Sequence, residues 1–148
     1  MKKTSFIFTA CLSIFAASSA LAADIIVKQL NNGKDGAMVF EPAFVKAAVG
    51  DTIIFQPAEK GAHQSVSLLV PAGAKSWSGP IDTEFKVKVD KEGVYLYACL
   101  PHKVMGMVGV IQVGKPVNLA DAKAAASKEQ AGFALNKTRF DIALAKVK

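Results

Sequence analysis

Between Asp24 and Val113 the hydrophobic positions come in short runs divided by turn residues. Some runs alternate. Phe85, Val87 and Val89 are separated by Lys86 and Lys88, a period of two that puts one face of a strand in a core and the other in water. Other runs are nearly continuous: Val94–Cys99 behind Gly93, and Val108–Val113 ahead of Gly114 and Pro116. Asp24–Leu30, Met38–Phe40, Phe44–Val49 and Thr52–Gln56 complete the strand-like set. Asn31–Gly36 is a turn cluster of residues that tolerate positive φ, and Gly50-Asp51 is a turn pair. From Pro57 to Ile81 the chain reads as mostly irregular, with one strand over Val66–Val70 and a loop through Pro71–Pro80. Short strands at this spacing predict an all-β sandwich or barrel.

The pattern changes after Pro116. Asn118-Leu119-Ala120-Asp121 has the form of a helix start, and Ser127-Lys128-Glu129-Gln130 that of a second capping box. Phe133, Phe140, Leu144 and Val147 recur at helical spacing, with Leu135 and Ile142 off that face and Gly132 a candidate interruption. The expectation is a pair of C-terminal helices, within 117–148, packed over an open face or edge of a sandwich formed by 23–114. Residues 23–148 then form one domain.

The N-terminus changes the length to be explained. Lys2 and Lys3 precede the apolar Phe6–Ala17, and Ala20-Leu21-Ala22 supplies small residues for cleavage. This predicts a secretory signal peptide over 1–22 and a mature chain starting at Ala23, exported to an oxidising compartment. Of 148 residues, 126 remain, enough for a core without disulfide staples. Cys11 leaves with the signal, so Cys99 is the single thiol of an exported chain. Loss of Lys2 and Lys3 takes the formal charge from +6 to +4. Arg139 is the sole arginine, and a lysine surface without arginine–aromatic interleaving argues against nucleic acid as a partner. It suits steering toward an acidic protein. The signal's apolar stretch is too short to anchor the protein in a membrane.

The candidate chemistry lies in Cys99-Leu100-Pro101-His102-Lys103-Val104-Met105-Gly106-Met107. Thiolate and imidazole on one short loop suit copper or zinc, and a nearby thioether favours copper, since zinc takes cysteine, histidine and carboxylates. Two histidines and a cysteine with a weak axial methionine make a blue-copper electron-transfer site. The chain holds two histidines, His63 and His102, so His63 has to come from a distant loop to complete the set. Met107 precedes a strand whose same-face residues are Gly109, Ile111 and Val113, which turns its side chain inward; Met105 is the alternative axial residue. Pro101 restricts the backbone between two ligands. An enzyme would need an open coordination position and usually more ligands. A copper delivery or buffering protein is the second reading.

The chain resembles the pseudoazurin family of blue-copper cupredoxins. The resemblance rests on Gly36-Ala37-Met38-Val39-Phe40-Glu41-Pro42-Ala43, on Lys60-Gly61 ahead of His63, and on Gly93-Val94-Tyr95. It rests also on Cys99, Pro101 and His102 followed by Met105-Gly106-Met107, and on the C-terminal helices. It implies a Greek-key sandwich with two C-terminal α-helices, and one type 1 copper cycling between Cu(I) and Cu(II). The implied ligands are His63, Cys99, His102 and Met107, with Asn31 supporting the loop of His63 and Met38 near the ring of His102. It implies a monomeric periplasmic one-electron shuttle, with a copper nitrite reductase or other periplasmic oxidoreductase as acceptor and a cytochrome-type donor. The chain departs from that family's pattern at Ala62, which separates Lys60-Gly61 from His63, and at Gln64, Lys103 and Val104.

Overall fold

The computed structural model describes residues 21–148. The expected signal peptide lies outside the described residues, apart from Leu21 and Ala22. Eight strands are followed by two helices: β1 (Asp24–Gly33), β2 (Gly36–Glu41), β3 (Phe44–Ala47), β4 (Thr52–Pro57), β5 (Val66–Leu69), β6 (Phe85–Lys88), β7 (Gly93–Ala98), β8 (Val108–Val113), α1 (Leu119–Gln130) and α2 (Arg139–Leu144). A 3₁₀ helix, Leu100–Met105, joins β7 to β8. The strands make two four-stranded sheets, ordered β2-β1-β4-β6 and β3-β8-β7-β5. β1 runs parallel to β4 and β3 parallel to β8; every other pairing is antiparallel.

The two kinds of hydrophobic run have different causes. The first sheet keeps one face in water. In β6, Phe85 and Val87 pack on the core while Lys86 and Lys88 are exposed. The second sheet is covered on both sides, so every residue of β7 and β8 is buried and their sequences cannot alternate. Inward residues of β7 and β8, including Tyr95, Tyr97 and Ile111, join Val27, Phe40, Phe55 and Trp77 between the sheets. Outward residues Val94, Leu96, Ala98, Val108 and Val110 meet Ala122, Ala126, Phe133, Phe140, Ala143 and Leu144 of the C-terminal segment. The helices therefore close the outer face of the second sheet.

Five expectations need correction. Asn31–Gly33 belongs to β1, and the hairpin turn is only Lys34-Asp35, because Asn32 pairs with Ala37 and Gly33 with Gly36. β3 ends at Ala47 rather than Val49; the Ala48 amide donates to Asp51 Oδ2 at 2.8 Å and leaves the ladder. The proposed second capping box is the last turn of α1, because Ala122 and Ala126 pack a single continuous helix on β7. Asn118 stands at the start of α1 but does not cap it. Its side chain accepts from the Val94 amide at 2.7 Å and donates to the Val94 carbonyl at 3.0 Å. Phe133 precedes the short α2 and shares its buried side without belonging to it.

Asp51 gives the fold a pH-sensitive joint. Its carboxylate accepts from the backbone N–H groups of Ala23 and Ala48, each at 2.8 Å, and these bonds hold its pKa below the ordinary 3.8; in a chain starting at Ala23 the first donor is the terminal ammonium. A depressed folded-state pKa contributes stability above the unfolded value, and that contribution is lost as pH falls through the folded value. Asp51→Ala should cost about 1–3 kcal/mol at neutral pH through two lost bonds to a charged acceptor. The difference from the wild type should shrink as pH drops below about 4, where the carboxylate of the unfolded chain protonates, and close once pH passes below the folded value. Urea midpoints measured across that range check both statements; an equal gap at every pH would remove Asp51 from the acid response.

Candidate metal centre

Two segments bring three donors together. β7 ends at Ala98, which places Cys99 at the mouth of the sandwich with its side chain in the inter-sheet core. Pro101 stands in the first turn of the 3₁₀ helix, the His102 amide donates to the Cys99 carbonyl at 3.1 Å, and the Cys99 amide donates to the Met107 carbonyl at 3.0 Å. That last bond closes the loop, so Cys99 and Met107 face one another across the start of β8. His63 arrives on the segment between β4 and β5. Ligand atoms of His63, Cys99 and His102 all lie within 4.8 Å of one another. His102 Nδ1 is 3.4 Å from Cys99 Sγ, and the two imidazole centroids are 5.2 Å apart. A trigonal ion with bonds of about 2.1 Å would hold its donors roughly 3.6 Å apart. The Cys99–His102 pair is close to that spacing, and His63 lies within 4.8 Å of both.

Protonation follows from the hydrogen bonds. Asn31 Nδ2 donates to the Lys60 carbonyl at 3.5 Å, which turns its Oδ1 toward His63. His63 Nε2–H donates to that oxygen at 2.9 Å. The imidazole proton is thereby fixed on Nε2, and Nδ1 keeps a bare lone pair. His63 Nδ1 is buried and has no hydrogen-bond partner. A buried orphan acceptor is costly unless a ligand takes it. Burial, then the charge of His102, pushes the pKa of His63 below its ordinary value, which favours the neutral, ligating form. Burial pushes the Cys99 thiol up, against the amides of Gln64 and His102. A cation between these groups would supply the charge that keeps the sulfur a thiolate. The donor set is soft sulfur with two imidazoles, and it fits copper.

Met107 is fully buried in the core cluster that contains Cys99, while Met105 is half-buried on the 3₁₀ turn. The inward register expected of Met107 is observed. Met38 is also half-buried against that cluster, with a left-handed φ of 50°.

The sequence reading missed Asp82. Its Oδ1 accepts from the amides of His63 at 2.9 Å and Gly61 at 3.2 Å, and its Oδ2 accepts from the Ala62 amide at 3.1 Å. Its own amide donates to the His63 carbonyl at 2.7 Å. Those amide bonds, that of His63 first, hold the Asp82 carboxyl below its usual range. Ala62 takes a left-handed φ of 60° inside this cradle. Gly61 has no room for a side chain, since a Cβ would stand 2.8 Å from His63 Nε2. A lone aspartate 19 positions from the histidine it holds gives no spacing signal in the sequence.

Comparison with known proteins agrees with this geometry. Residues 27–114 match the family model described as copper binding proteins, plastocyanin/azurin family. The chain is 41% identical over 133 residues to pseudoazurin of Paracoccus pantotrophus, covering 88% of each protein. It is 42% identical over 117 residues to pseudoazurin of Methylorubrum extorquens, covering 78% of this chain and 79% of that one. The chain belongs to the pseudoazurins, within the plastocyanin/azurin family of copper-binding proteins. The crystal structure of native pseudoazurin from Hyphomicrobium denitrificans superposes with a TM-score of 0.75 at 39% identity, covering 84% of this chain and 98% of that one. Pseudoazurins are blue-copper electron carriers rather than enzymes, and membership makes this chain a one-copper electron-transfer protein that works with redox partners. Among the described residues no helix is long and apolar enough to cross a membrane.

Proposed function

We propose that His63 and His102, each through Nδ1, and Cys99 hold the copper in a trigonal set with Met107 as the weak axial ligand. The unpartnered, buried Nδ1 of His63 beside Cys99 and His102 is the observation that carries this reading. The fixed cradle around His63 and the closed loop from Cys99 to Met107 suit a site that keeps one geometry in two oxidation states. The copper supplies one-electron chemistry; the chain supplies the donors, their protonation and exclusion of water. Met107→Leu should shift the redox potential and the visible spectrum, whereas Met105→Leu should change both little. The reverse ranking, read by potentiometric titration, would make Met105 the axial ligand.

The protein in this reading is a periplasmic shuttle, exported by removal of 1–22, that donates to a copper nitrite reductase and is reduced by a cytochrome-type donor. The docking face is the mouth of the sandwich around His102. Leu100, Pro101 and Val104 are exposed there beside the half-buried Met105. Of the lysines on the adjoining loops, Lys103 is committed to Glu129 at 2.7 Å, and the well-exposed Lys34 lies 3.5 Å from Glu41. Lys60 makes no ion pair among the described residues, which gives it the largest share of steering. Rim charges act mainly on association rate and are screened over about 10 Å at about 0.1 M salt. The test uses the blue protein from a periplasmic extract, expected to begin at Ala23, with purified copper nitrite reductase. Electron transfer should slow as salt rises, and Lys60→Glu should slow it more than Lys103→Glu at low salt. A salt-independent rate, or no transfer, would contradict this partner assignment.

A further inference from the structure

The sole arginine of the chain is not on the surface as a free charge. Arg139 opens α2, and its guanidinium donates to four backbone carbonyls. Nη1 reaches Met38 at 2.7 Å and Gly106 at 3.1 Å; Nη2 reaches Asp35 and Ala37, each at 2.9 Å. Three carbonyls belong to the β1–β2 hairpin, more than a hundred positions upstream, and the fourth belongs to the residue before Met107. A planar fork can hold two segments in one plane; an ammonium cannot.

Its neighbours on the C-terminal segment grip the same loop. The amides of Ala134 and Leu135 both donate to the Val104 carbonyl, at 2.8 and 3.3 Å. Asn136 Nδ2 donates to the Met105 carbonyl at 2.9 Å, and Lys103 pairs with Glu129. Every residue between His102 and Met107 is thus tied to the C-terminal segment. The fit is tight at Gly106, whose φ is 76° and where a Cβ would stand 3.0 Å from Asn136 Cβ and from its carbonyl oxygen. Met38 holds an unfavourable φ of 50° with its carbonyl on Arg139. Such strain persists only where the surroundings over-determine it.

We propose that Arg139 is a positioning residue of the metal centre: by tying the Gly106 carbonyl to the β1–β2 hairpin it holds the His102–Met107 turn in ligand geometry. The helical extension is then a brace for the ligand loop as well as a cover for the second sheet. The claim about copper rests on His102 and Met107 being ligands; the claim about the loop does not, and the two are read separately.

The experiment compares Arg139→Ala, Arg139→Lys and Gln112→Ala in the full chain. Gln112 lies at the far end of β8 and ties the C-terminal Lys148 by accepting from its amide at 3.1 Å, so its loss destabilises the same layer away from the loop. In the copper-free protein, amide exchange at Gly106 and Met107 should quicken at least tenfold in Arg139→Ala and less in Arg139→Lys, with Val110 unchanged. In the copper-loaded protein both Arg139 variants should shift the visible spectrum and the midpoint potential. Gln112→Ala should lower Tm and move neither. Exchange at Gly106 and Met107 left at the wild-type rate, or quickened as much by Gln112→Ala at equal loss of Tm, would overturn the brace. Quickened exchange with an unmoved spectrum and potential would overturn the link to the metal. Should Arg139→Ala fail to fold, Arg139→Lys carries the same readouts.

Discussion

Cys99→Ser should abolish the intense visible absorption of the Cu(II) protein. That absorption arises from charge transfer from a thiolate bound directly to copper, and Cys99 is the one cysteine among the described residues. Serine keeps the size and the backbone bonds at the end of β7 but offers a hard, weakly acidic oxygen in place of a soft sulfur. The fold should survive, since the Cys99 amide still donates to Met107 and the neighbouring core residues are untouched. Copper should bind more weakly to the remaining imidazoles and give a pale spectrum. Absorption spectra of the two proteins, each loaded with Cu(II), check this, and persistence of the intense band in the variant would put the sulfur elsewhere.

Asp82→Ala should weaken copper binding by about tenfold to a hundredfold, the range typical for loss of a group that orients a metal ligand. The carboxylate gathers three consecutive amides, Gly61 to His63, while the Asp82 amide takes the His63 carbonyl. Without it the left-handed Ala62 loses the acceptor that holds its amide, and the His63 ring loses its fixed approach to Cys99. Asp82→Asn keeps one oxygen acceptor and should fall between the two. Competition with a chelator of known affinity reads the change. An affinity equal to the wild type in both variants would mean that Asn31 alone positions His63.

The strands were legible because burial writes itself into the sequence. Lys86 and Lys88 mark the wet face of the first sheet, and the unbroken run Val108–Val113 marks a strand covered on both sides. Phe140 and Leu144 were read as the buried side of a helix, Ile142 as outside it, and they lie so. Cys99, His102 and Met107 were legible as a group because they share one loop, and His63 because no other imidazole was available to join them. Residues that act across the chain were not. Asp82 and Arg139 bond to backbone groups, which any residue presents, so neither partner carries a pattern to find. The ion pair of Lys103 was equally hidden, because nothing in its neighbourhood reveals Glu129, 26 positions on. The false capping box at Ser127 was a local pattern overruled by packing of Ala122 and Ala126 on β7.

The most direct test of the account is the visible spectrum of the copper-loaded mature protein, followed through chemical reduction and reoxidation. A protein that holds copper between Cys99, His63 and His102 with an axial methionine should be intensely coloured as Cu(II) and colourless as Cu(I). It should cycle reversibly with one electron and one copper per chain. A pale Cu(II) form, or copper released on reduction, would contradict the electron-carrier reading and favour a protein that delivers or buffers copper.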